Sequence, residues 1–115
     1  MDGLLRQAAD RFTLLSGKTA PSAMPTDSGR PHHVHRCTAC GTALWSEYGG
    51  RSTLRFVRAA TLDDPAALTP DVHIYVRSKL PWVTLPADVP AFEACYDARS
   101  LWPAASLERR RALRN

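Results

Sequence analysis

Cysteine is scarce in this chain: Cys37, Cys40 and Cys95 are the only three. Three thiols make a poor disulfide framework, so they point to a reducing compartment where a CxxC pair serves a metal or redox chemistry. No apolar run approaches the ~18 residues of a membrane span, which excludes a membrane protein of that type. The start, Met1-Asp2-Gly3-Leu4-Leu5-Arg6, carries an acid and no long apolar core, so it does not read as a secretory signal and cytoplasmic residence is expected. A nucleophile-elbow spacing is also missing, and there are no paired carboxylates beyond Asp63-Asp64. Followed by Pro65, that pair reads as helix capping rather than acid/base catalysis.

What is present describes a globular chain. Its 115 residues are 44% apolar and 23% charged, which predicts a single domain over residues 1–115 with a modest core. The formal charge of +4 raises nucleic acid as a partner. Much of that excess lies in Arg109-Arg110-Arg111 and Arg114. There, cations complement the dipole of a C-terminal helix expected over residues 105–114. No aromatics interleave with them as base stacking requires, so no nucleic acid is expected.

Cys37-Thr38-Ala39-Cys40-Gly41 is the chemically richest motif. Two thiols spaced CxxC and followed by Gly form a zinc knuckle, the tight turn directing both sulfurs inward. They supply half of a tetrahedral site. A thioredoxin-like redox pair would open a helix, whose N-terminal dipole lowers the thiol pKa. Here Gly41-Thr42 and a strand follow instead.

The rest of the chain reads mainly as β structure. Strands are expected at Arg11–Leu15, His32–Arg36, Thr42–Tyr48 and Thr53–Arg58, with Val72–Val76 the clearest. Residues 19–31, rich in Pro, Ser and Thr, read as a loop, and 63–68 as a one-turn helix or 3₁₀ segment. Strand, knuckle, strand is the hairpin of a zinc ribbon. The expectation is an antiparallel β domain with short peripheral helices.

These residues carry a resemblance. The order Cys37-Thr-Ala-Cys40-Gly-Thr-Ala-Leu-Trp45, Thr61-Leu-Asp-Asp-Pro65, His73-Ile-Tyr-Val76, Ser78-Lys-Leu-Pro-Trp82, Leu85-Pro86 and Phe92-Glu93 resembles the C-terminal part of the glutathione-dependent formaldehyde-activating enzymes, also called the centromere-protein-V-like family. The resemblance implies an antiparallel β-tent fold, here without its first strands. It implies that Cys37 and Cys40 are ligands of a structural zinc, completed in the family by an early CxC pair. It also implies a carbon-sulfur lyase chemistry that joins glutathione, or a related small thiol, to formaldehyde as S-hydroxymethylglutathione. The family's zinc for that reaction is held by a CxCxxC cluster, and neither cluster occurs in this sequence.

His33, His35 and Cys37 share a strand face, but same-face side chains lie roughly 6–7 Å apart on extended backbone, too far to converge on one ion without a turn. The alternative set against that spacing is a hybrid Cys₂His₂ site in which His35, two residues from Cys37, and one more histidine of His32 and His33 join the two thiols. His73 reads as a structural hydrogen-bonding residue and Cys95 as a small packed hydrophobe. Lys79 is a candidate for a substrate carboxylate and Trp82 for the wall of a cleft, against a role for Trp82 in capping the core.

Two functional readings follow. One is a zinc-binding family member whose remaining ligands come from an N-terminal partner chain or from a second copy in a homodimer, and which is inactive alone. The other is a non-catalytic, truncated zinc-binding β module acting in assembly or interaction.

Overall fold

The computed structural model describes residues 4–113, which form two compact units, one running to Pro65 and one from Ala66 to Leu113. The protein is mainly β, with a few short helices. In the first unit, β1 (Leu4–Ala8), β2 (Thr19–Met24), β3 (His32–Cys37), β4 (Ala43–Tyr48) and β5 (Leu54–Arg58) form one antiparallel sheet in the order β1-β5-β4-β3-β2.

The period-2 pattern of the central strands builds the core. Val34, Ser46 and Phe56 are directly opposite one another across β3, β4 and β5, and are 2%, 0% and 8% exposed. Cross-strand neighbours point to the same side of a sheet, so these three form one buried row. On the other face lies the row His35, Trp45, Val57. Phe12 covers Trp45 there with ring centroids 4.9 Å apart.

Two expectations for this unit are corrected. Arg11–Leu15 is not a strand: a 3₁₀ turn at Ala9–Arg11 leads into an irregular segment in which Leu15 is 91% exposed. The edge of β5 that such a strand needs is already paired with β1, and Phe12 packs its ring on Trp45 instead. The loop expected over residues 19–31 begins as β2, paired with β3 from Thr19↔Cys37 to Met24↔His32. Pro21 fits because β2 is an edge strand, where a missing N–H need not break a ladder.

The second unit is irregular. Val72–Val76 is not a strand, although its composition favours one. Tyr75 adopts a left-handed conformation (φ 55°, ψ 37°) that turns the chain into a 3₁₀ turn at Val76–Ser78. A single parallel bridge, His73↔Ala91, remains, flanked by His73 N–H to Pro90 O and Phe92 N–H to His73 O, both 2.9 Å. A further 3₁₀ turn occupies Pro65–Ala67, as the Asp-Asp-Pro signal suggests. Helices α1 (Ala98–Leu101) and α2 (Ala104–Leu113) end the described chain. Asp97 caps α1 by accepting from Arg99 N–H at 3.0 Å, and the Arg99 guanidinium and amide hold its carboxyl below the usual range. The α2 arginines have intrahelical and aromatic partners: Arg111 reaches Glu108 at 3.1 Å, Arg109 donates to Ser106, and Arg110 lies over Trp102. No helix among the described residues is long and apolar enough to cross a membrane.

Candidate metal knuckle

β3 and β4 are in register from His32↔Tyr48 to His35↔Trp45, then shift by one residue so that Arg36 faces Ala43. The irregularity ends regular pairing just before Cys37 and lets the chain turn tightly. Within the turn, Gly41 N–H donates to Cys37 O and Cys37 N–H to Thr42 O, both 2.9 Å. Gly41 has φ +78°, a left-handed conformation that a side chain would strain. The Arg36 guanidinium donates to Gly41 O at 3.2 Å and steadies the same turn.

This turn carries both thiols. Cys37 is half-buried and Cys40 exposed, and both are free. The Cys40 Sγ lies 3.1 Å from Thr42 Oγ1. Hydrogen bonds from the Thr42 hydroxyl first, then the Thr42 amide and the Cys37 thiol, hold the Cys40 thiol below its ordinary range. Stabilised thiolate character suits a soft divalent ion such as zinc. The pair is two of the four donors that a tetrahedral thiolate site takes. Among the described residues, no group of three or more His, Cys, Asp or Glu is arranged to hold a metal ion.

Two of the histidines upstream, His35 and His32, are committed elsewhere. His35 stacks on Trp45 at 4.7 Å with an 11° interplanar angle, and its Nε2 faces Glu47 Oε1 at 3.5 Å. His32 stacks on Tyr48 at 4.1 Å. Burial, then the Arg58 charge and His33, lower the His32 pKa from 6.5.

Sequence reading missed a cluster built around Trp45. The Arg55 guanidinium lies 4.6 Å from the Phe12 ring centroid and 5.2 Å from that of Trp45, with Glu47 3.9 Å from its Nε. Its signal was available in the alternation that places Trp45 and Glu47 on one face of β4.

In the second unit, Lys79 Nζ donates to Val83 O at 2.8 Å and to Leu80 O at 3.4 Å, so it folds back over its own turn. Trp82 is 77% exposed and does not cap a core. His73 makes its hydrogen bonds through the main chain, while its Nε2 is buried without a partner among the described residues. Cys95 is exposed rather than packed, a correction to its reading as a buried hydrophobe. It lies in an irregular segment whose Phe92 and Tyr96 rings pack together at 5.7 Å.

The model of the glutathione-dependent formaldehyde-activating enzyme family matches residues 4–78, more than half of the chain. The chain belongs to this family. The match takes in the sheet and the knuckle and ends at Ser78, so Lys79, Trp82 and the later motifs lie beyond it. No curated protein and no solved structure gives a significant match.

Proposed function

We propose that this family member is a zinc-held module in which Cys37 and Cys40 supply two ligands of a structural zinc and a second copy supplies the other two. The observation that carries this reading is the knuckle: a left-handed Gly41 turn closed by the Gly41 N–H to Cys37 O and Cys37 N–H to Thr42 O bonds, with the Cys40 thiol open to solvent. A two-fold arrangement needs no residue besides these, because the same surface on each copy completes the other. Four thiolates close the coordination sphere, so the ion would brace the fold and leave no open position for a substrate. Three free thiols suit a reducing, cytoplasmic setting.

Family membership brings the glutathione and formaldehyde chemistry to the chain as a class. A catalytic zinc takes about three protein ligands and an open position. With two of its three cysteines in the knuckle, we propose that the chain alone does not accelerate S-hydroxymethylglutathione formation. Trp82, with an exposed ring, and the N–H that Lys79 has left after its two carbonyl contacts are the groups proposed to meet a small thiol substrate such as glutathione. The test adds Co²⁺ to the reduced, purified chain. Thiolate-to-cobalt charge-transfer absorption that disappears in Cys40→Ser is expected, and its absence from the unaltered chain refutes the metal reading. In parallel, NMR of glutathione mixed with ¹³C-formaldehyde is expected to show only the uncatalysed rate. A zinc-dependent rise in that rate would overturn the claim of inactivity.

A further inference from the structure

At the far end of the β3–β4 hairpin from the knuckle, the turn between β2 and β3 meets the turn between β4 and β5. A cleft of about 490 Å³ opens between them, within the size range of small-ligand sites. Its lining includes the guanidinium-bearing Arg30 and Arg51, the hydroxyl residues Thr26 and Ser28, and Tyr48. No acidic side chain lines it, and Asp27, although between Thr26 and Ser28 in sequence, is not among the lining residues.

Both arginines stand on turns braced by hydrogen bonds. Thr26 Oγ1 donates to Arg30 O at 2.7 Å, and Arg30 N–H donates to Ser28 Oγ at 3.2 Å. Opposite, Arg51 donates both its backbone N–H and its Nε–H to Tyr48 O, each at 3.3 Å. Gly49 N–H donates to Pro31 O at 2.8 Å and clamps the two turns together. Gly49 adopts φ +67°, and a Cβ there would lie 3.7 Å from Arg51 Nε and 3.9 Å from Arg30 Cδ. The two arginine side chains therefore arch over the same glycine. The Nε contact fixes the Arg51 guanidinium and leaves its terminal N–H groups unused among the described residues. The Arg30 guanidinium likewise makes no hydrogen bond or ion pair there.

Two planar, permanently charged forks whose side chains pass the same glycine, with no acid in the lining, suit an oxyanion. We infer that this cleft binds the carboxylate or phosphate group of a small anionic ligand, with Arg30 and Arg51 as its charged contacts. The site shares no residue with the knuckle. Its failure would leave the zinc reading intact, and loss of zinc binding would leave this inference intact.

The test is an NMR titration of the full chain with inorganic phosphate and, separately, succinate, at constant ionic strength against chloride. Saturating shifts of the Gly49, Gly50 and Arg51 amides are expected with at least one anion. Response to phosphate alone assigns a phosphorylated ligand, and response to succinate assigns a carboxylate. Arg30→Ala is expected to weaken binding by at least ~10-fold, the scale of one charge-assisted contact. Arg109→Ala, which removes the same charge from α2, is expected to leave it unchanged. Arg51→Lys keeps the charge but not the fork, and a several-fold loss is expected. Absence of saturation with both anions, or equal binding by Arg30→Ala and Arg109→Ala, overturns the inference.

Discussion

Substitution of Val34 by Ala tests the buried row that organises the sheet. Val34 is 2% exposed, lies opposite Ser46, and sits in a strand paired on both sides, so its surroundings have little room to collapse. Removing two carbons forfeits about 1.6 kcal/mol of transfer free energy at ~0.8 kcal/mol per carbon. A cavity that cannot close adds roughly 1 kcal/mol more. The expected loss is therefore about 2–3 kcal/mol, a large share of the ~5–15 kcal/mol available to a typical protein. Urea unfolding followed by far-ultraviolet circular dichroism measures it, as a fall in midpoint without a change in slope. Met24→Ala, at a position 42% exposed on β2, serves as the control and is expected to cost less than ~0.5 kcal/mol. A Val34→Ala cost as small as that of the control would refute the placement of the core.

Two further outcomes are expected of the same sheet. Ser46 is 0% exposed and its Oγ has no hydrogen-bond partner among the described residues, so Ser46→Ala is expected to be neutral or to raise stability by about 1 kcal/mol in urea titrations. A loss of 1 kcal/mol or more would mean that the hydroxyl has a partner. The folded-state pKa of His32 is lowered by burial and by Arg58, so the unfolded chain takes up its proton first as pH falls. The His32 contribution to stability is present above pH ~6.5 and lost on acidification below it. Unfolding midpoints between pH 8 and pH 5 are expected to fall less steeply in His32→Gln than in the unaltered chain, and parallel slopes would contradict this.

β3 and β4 were legible because they flank the CxxCG turn, and β5 because Leu54 and Phe56 alternate after Gly49-Gly50, which marks the turn between the last two. β2 was not, because Pro, Ser and Thr in Thr19–Met24 read as loop, and only an unoccupied edge beside β3 makes a strand of them. Val72–Val76 misled in the opposite direction. Its β-branched composition says nothing about whether a partner strand exists, and the left-handed Tyr75 ends the extended run. The knuckle was visible because all of its groups are local in sequence. Arg30 and Arg51 are twenty-one positions apart, and only the register His32↔Tyr48 brings their turns together. The Trp45 cluster was hidden for a similar reason, since Phe12 reaches it from a segment that reads as a strand in its own right.

Native mass spectrometry of the zinc-loaded chain tests the central claim most directly. The account predicts one zinc bound between two chains, with metal and dimer lost together in Cys37→Ser and in Cys40→Ser. A zinc held by a single chain, or a dimer that persists unchanged in both variants, would contradict it.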